Sequence, residues 1–167
     1  MSERKTVRKW FWAWDFEKEE EWLNDMAMSG WVLEKVGFAT YDFVRCEPGE
    51  YIIHLQMFDT DTDYMQFMNQ INAEYIDRFV KWVYFRRKAE YGIFEINSNL
   101  DSRIAHLNRI GQTLSAIGGA NILIGVVNST HSHLSILNLL VGCVLMYGLG
   151  RIHGKKEELE RERMLHE

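Results

Sequence analysis

Apolar and polar positions along the first ninety residues change period several times, and each change marks an element. Residues 5–14 alternate: Trp10, Trp12 and Trp14 point one way, and Val7 and Phe11 the other. This predicts an aromatic-rich strand. From Phe16 to Ser29 the period becomes helical, with Trp22, Leu23, Met26 and Ala27 on one face. Asp15 stands where it can cap this helix, and Gly30 is a natural stop. Glu17, Glu19, Glu20 and Glu21 fall in the first turns, where the helix dipole favours acid, and read as a solvated face. Alternation returns in Trp31–Val36, in Thr40–Cys46 and along Tyr51, Ile53, Leu55 and Met57, with a turn at Glu47-Pro48-Gly49-Glu50. A second helix opens within Thr60–Asp63 and carries Tyr64, Phe67, Met68 and Ile71. Strands over Glu74–Phe79 and Trp82–Arg87 follow.

The order is β-α-β-β twice, an internal repeat. In each unit a helix with an aromatic anchor (Trp22; Phe67) leads to a strand opened by an aromatic (Trp31; Tyr75). Each ends on an aromatic strand closed by arginine (Tyr41, Phe43, Arg45; Tyr84, Phe85, Arg86). The expected fold is α+β: a duplicated, ferredoxin-like antiparallel sheet with both helices on one face.

Beyond this domain the pattern changes character. Between Ile110 and Gly150 there is no Asp, Glu, Lys or Arg, whereas residues 1–100 hold 12 of the 19 Lys+Arg and 18 of the 24 Asp+Glu. Two apolar segments, about 110–127 and 134–150, flank a polar loop. They approach the roughly 17–25 residues that a membrane span requires. Small residues recur at helical spacing, and Gly111, Ser115, Gly119, Ser135 and Gly142 are candidates for close helix–helix packing. Arg103 and Arg109 precede the first segment and Arg151, Lys155 and Lys156 follow the second, while the loop has no Lys or Arg. The positive-inside rule then puts both termini on the cytoplasmic side of the membrane. The expected organisation is a cytosolic α+β domain over 1–97, a two-helix transmembrane hairpin over 98–154 and a charged helical tail over 155–167. No apolar stretch follows the N-terminus as a cleavable signal peptide would require.

One set of residues carries a family resemblance. The passage Glu21-Trp22-Leu23-Asn24-Asp25-Met26 leading to Gly30-Trp31 and Leu33, the Tyr41/Phe43 strand with its Glu47-Pro48-Gly49-Glu50-Tyr51 turn, and Tyr84-Phe85-Arg86 together resemble a bacterial domain-of-unknown-function family, number 2812. The resemblance covers roughly residues 6–90. It departs from the family where Ala73-Glu74-Tyr75 stands in place of a second Gly-Trp. It implies apolar helices after the domain and a neighbourhood of PadR-type transcriptional regulators. It brings no activity, cofactor or catalytic residue.

Candidate chemistry is sparse. Asp59, Asp61 and Asp63 alternate as in a calcium loop, but Tyr64 and Gln70 stand where an EF-hand needs glycine and glutamate. His131 and His133 lack neighbouring ligands, and Cys46 and Cys143 form no motif. No catalytic constellation, metal or cofactor is therefore expected. The net charge of −5 argues against nucleic acid as a partner. The aromatic load points instead to a surface for a partner or ligand, with Trp10, Trp12, Trp14, Arg45, Tyr84, Arg86 and Arg87 as its candidates. The expected function is a non-enzymatic, membrane-anchored regulatory or interaction module whose domain binds a cytosolic regulatory protein or small ligand. Alternatives are an accessory or self-assembling subunit of a membrane complex, forming a homo-oligomer through the hairpin, and an enzyme on a lipid-like or acidic substrate.

Overall fold

The computed structural model describes residues 3–57, 62–94, 100–129 and 134–166. The chain divides into two compact units, Met1–Ile96 and Asn97–Glu167. The first contains strands β1 (Arg4–Arg8), β2 (Trp31–Gly37), β3 (Thr40–Arg45), β4 (Tyr51–Met57), β5 (Glu74–Phe79) and β6 (Trp82–Lys88). Its helices are α1 (Phe16–Met28) and α2 (Thr62–Gln70). The second contains α3 (Leu100–Val127) and α4 (Leu134–His166). The fold is thus α+β, a duplicated β-α-β-β followed by a helical hairpin.

The strands pair as two antiparallel three-stranded sheets, β1-β3-β2 and β4-β6-β5. The duplication is visible in the register. Gly37 pairs with Thr40, and Phe79 with Trp82. The ladder slips between Leu33 and Lys35, and again between Tyr75 and Asp77. The backbone turns left-handed at Gly30 (φ 82°) and at Asn72 (φ 58°). Each of these pairs is separated by 42 positions (37 to 79, 33 to 75, 30 to 72). At that offset Trp22 corresponds to Tyr64 and Trp31 to Ala73, not to Phe67 and Tyr75 as matching the aromatics alone suggests. The bulges lie on β2 and β5, edge strands of their respective sheets. Across them the Val36 N–H donates to Asp77 Oδ2 at 3.0 Å, so a side chain stands where a ladder bond would.

Burial organises the sheets into two cores. Leu23 and Ala27 of α1 cluster with Leu33, Tyr41 and Phe43 of the first sheet and Ile53, Leu55 and Tyr84 of the second. Met68 and Ala73 cluster with Val83, Phe85 and Phe94. Because alternate residues of a strand face opposite sides, Tyr84 faces the first core while Val83 and Phe85 face the second. The expected single sheet with both helices on one face is therefore divided, and α1 and α2 lie against opposite sides of the second sheet.

Helix α1 also seals the free edge of β4. Asn24 Nδ2 donates to the Ile53 carbonyl at 2.8 Å and Asn24 Oδ1 accepts from the Ile53 N–H at 2.8 Å. Glu20 Oε2 accepts from the Leu55 N–H at 3.0 Å. An unpaired edge is a template for aggregation, and these side chains occupy it. Asp15 stands at the N-cap position, but its carboxylate pairs with Lys18 at 2.8 Å and makes no cap hydrogen bond.

In the second unit α3 and α4 are each continuous, at 28 and 33 residues. Both are long and apolar enough to cross a membrane. The charged tail after Lys155 continues α4, and Arg163 pairs with Asp101 at 3.0 Å.

Candidate functional site

Strand β1 ends at Arg8, and its ladder is terminated by the Lys9 N–H donating to the Ala39 carbonyl at 3.1 Å. The chain then tightens into a 3-10 turn over Ala13–Asp15, closed by the Asp15 N–H on the Trp12 carbonyl at 2.8 Å. The expected strand over 5–14 is therefore half strand and half loop, and Trp10, Trp12 and Trp14 do not share a strand face. They form a packed series instead. Trp12 stacks on Trp14 (4.9 Å, 7°), and Trp10 meets Trp12 edge-on (5.3 Å, 86°). Trp10 also contacts Phe38 (5.3 Å), which lies 6.4 Å from Phe79.

Phe38 and Val80 are the first residues of the two-residue turns that close β2–β3 and β5–β6, so equivalent hairpin tips carry them. Trp14 is buried, but Trp10 is 50 % exposed, Trp12 43 %, and Phe38 and Val80 70 % each. Val80 has a φ of 57°, a left-handed conformation that a β-branched side chain rarely adopts. Arg78 Nε donates to the Val80 carbonyl at 2.6 Å and holds it there. Val80 thus combines an exposed apolar side chain with a backbone conformation that disfavours it. The segments that build this surface, residues 8–14, 37–40 and 78–82, contain Arg8, Lys9, Arg78 and Lys81 and no acidic residue.

The remaining candidates lie elsewhere. Arg45 sits over the Trp31 ring (5.0 Å), and Arg86 over Tyr51 (5.0 Å) while bridging Glu74 at 2.9 Å. Arg87 Nη2 donates to the carbonyls of Tyr91, Gly92 and Ile93 at 2.7, 3.2 and 3.1 Å, clasping the segment that leaves the domain. These arginines stand at the strand ends opposite the tips, so the tryptophans and arginines expected to share a surface do not form one. Tyr84 is withdrawn from any surface, being buried with its hydroxyl on Glu19.

That contact belongs to a polar node that sequence reasoning missed. Glu19 is buried, and its Oε1 accepts hydrogen bonds from Tyr41 (2.8 Å) and Tyr84 (2.6 Å), one from each repeat. Burial pushes its carboxyl above the usual range. The two tyrosine donors oppose that rise, and neighbouring Glu20 adds to it. Glu20 in turn lies 2.9 Å from His54 Nδ1. Glu19 and Glu20 thus leave the expected solvated face. A signal for this exists in the spacing: Glu19, Leu23 and Ala27 recur every four residues and share one side of α1. A concavity of about 620 Å³ beside β1 is lined by Arg4, Thr6, Glu34, Asp42 and Asp77. Its polar groups satisfy one another through Arg4–Glu34 (3.0 Å) and Thr6–Asp42 (2.6 Å).

In the helical hairpin the close approaches fall at Gly118, Gly125 and Gly142. A Cβ built on Gly142 would stand 2.5 Å from Ile122 Cγ1 and 3.2 Å from the Gly118 carbonyl oxygen. Gly111 faces Leu149 and Ile152 at ordinary contact distance, and Ser135 is buried. Ser115 is exposed, and Gly119 meets nothing within 4 Å. The close contact is therefore made by Gly118, not by its neighbour Gly119. Asp59, Asp61, His131 and His133 lie outside the described residues.

A family model described as "Protein of unknown function (DUF2812)" matches residues 15–118, running from the start of α1 through the α+β unit into the first apolar helix. No curated protein and no solved structure matches the chain. With more than half of its length inside that match, the chain belongs to the DUF2812 family.

Proposed function

We propose that this protein is a membrane-anchored interaction module. The α3–α4 hairpin crosses the bacterial cytoplasmic membrane with both termini on the cytoplasmic side, and the α+β unit engages its partner through the aromatic surface at the hairpin tips. The observation that carries the anchor is the outward face of the helices. Leu123, Ile124, Val126 and Val127 on α3 and Ile136, Leu137, Leu140 and Val144 on α4 are exposed, within a stretch that holds no ionised residue. Hydrocarbon suits such a face and water does not. A regulatory role for the module rests on the PadR-type neighbourhood that the family resemblance implies.

The test is thiol labelling in intact cells with a membrane-impermeant reagent, in a background lacking Cys46 and Cys143. Ser29→Cys and Ser129→Cys place one probe in the α+β unit and one after α3. Labelling at 129 in intact cells, and at 29 only after lysis, is the expected result. Protection of both, with the protein in the soluble fraction, would overturn the anchor.

A second reading, a self-assembling or accessory subunit, is favoured by Gly119 and Gly150, which face open space on the hairpin. It predicts a defined oligomer in mild detergent.

A further inference from the structure

We infer that the partner of the aromatic surface is the anionic headgroup layer of the membrane to which the chain is anchored. Three observations converge on this occupant. The exposed side chains are Trp10, Trp12, Phe38 and Val80, and they come from one loop and two equivalent turns. Tryptophan is the side chain that settles at a bilayer interface, its ring apolar and its N–H wet. The surface is basic in a chain of net charge −5, since its segments carry Arg8, Arg78 and Lys81 and no Asp or Glu, while Lys9 turns to the rings of Phe11 and Trp22 at 4.9 and 4.5 Å. That is the complement of an anionic leaflet. Finally, the domain is joined to two helices suited to crossing a bilayer, so the lipid surface is a covalently linked neighbour at high effective concentration. Docking of the tethered domain then needs little intrinsic affinity. The rigid stacking of Trp12 on Trp14, and of Trp10 against both Trp12 and Phe38, lowers the entropy cost of presenting these rings.

This inference rests on the anchor reading, and the experiment separates the two. All six tryptophans lie before residue 83, in the α+β unit, so tryptophan emission reports on that unit alone. The full chain is reconstituted in nanodiscs of phosphatidylcholine, with or without phosphatidylglycerol, using acyl-brominated lipid as quencher. The expected result is quenching in the anionic discs that weakens with salt and is lost in Trp10→Ser/Phe38→Ser. Removing one basic residue, by Lys81→Gln or Arg8→Gln, lowers the docked-to-free ratio by about fivefold. Because Trp10, Phe38 and Arg8 are exposed, the variants at these three positions retain the wild-type unfolding profile. Absence of quenching in discs from which carbonate does not extract the protein overturns the docking proposal and leaves the anchor standing. Extraction by carbonate overturns both. Tryptophans shielded from acrylamide in native membranes but open in the discs would assign the surface to a protein, and that also overturns it.

Discussion

Tyr84 donates its hydroxyl proton to Glu19 Oε1 at 2.6 Å across 65 residues of sequence, joining the last strand of the second repeat to the helix of the first. Tyr41 donates to the same oxygen, so one carboxylate ties both repeats. Because burial raises the Glu19 pKa above its unfolded value, its contribution is complete below the ordinary carboxylate range and is lost as pH rises through the folded-state pKa. Glu19→Gln keeps an acceptor for the tyrosines without the buried charge. It is expected to abolish that pH dependence and to hold stability at neutral pH. Glu19→Ala strands two hydroxyls and costs about 1–3 kcal/mol. Urea titrations followed by tryptophan emission at acid and neutral pH decide this. If the Gln variant shows the same change in stability between the two pH values as the wild type, the node is not electrostatic.

Asn24 acts toward β4 as one residue of an extra strand, donating to and accepting from Ile53. Asn24→Asp preserves the shape but turns the donor into a second acceptor against a carbonyl, and Asn24→Ala removes both bonds. Each is expected to destabilise the α+β unit by roughly 2 kcal/mol and to promote aggregation from the opened edge. Light scattering during thermal unfolding checks the second effect. Wild-type scattering in Asn24→Ala would show that the edge is protected by something else.

Val80 sits in a left-handed turn at the exposed tip of the second hairpin. Val80→Gly relieves the backbone and is expected to stabilise the unit by up to about 1 kcal/mol, the strain relieved exceeding the entropy glycine adds to the unfolded chain. The same change removes one apolar group from the proposed lipid surface, so bromolipid quenching should fall while the denaturation midpoint rises. A lower midpoint would mean that the valine side chain contributes packing its exposure does not reveal.

Gly142 and Gly119 differ in what a methyl group would meet. At Gly142 it collides with Ile122 and approaches the Gly118 carbonyl, whereas at Gly119 it meets nothing. Gly142→Ala is expected to loosen the hairpin by about 1–3 kcal/mol, with Gly119→Ala near neutral. Cysteine cross-linking between α3 and α4 in detergent gives the comparison. A cross-linking loss confined to Gly119→Ala would place a second copy against that face.

How legible each element is in the sequence differs for physical reasons. The hairpin follows from a single signal, forty-one consecutive positions without Asp, Glu, Lys or Arg (110 to 150), which is the composition that hydrocarbon surroundings demand. Strands β2 to β6 follow from alternation bounded by turn residues. The tryptophan loop does not, because alternating aromatics mark an extended strand and a loop closing into a 3-10 turn equally well; only the hydrogen bond between Asp15 and Trp12 separates them. Gly118 and Gly119 are indistinguishable in sequence, since one position rotates a helix face by about 100°. The division of the sheet is hidden for a different reason. A bulge depends on which neighbour a strand faces, and nothing local to Glu34 or Ile76 shows that β2 and β5 will meet through the Asp77 side chain.

The seal that α1 places on β4 makes each repeat depend on the other. A lone first repeat would carry Asn24 and Glu20 with no strand to serve, and a lone second repeat would carry a bare strand edge and a Tyr84 hydroxyl with no acid to meet. The two repeats are complementary parts, so either half expressed alone is expected to be a misfolding hazard, not a smaller version of the whole.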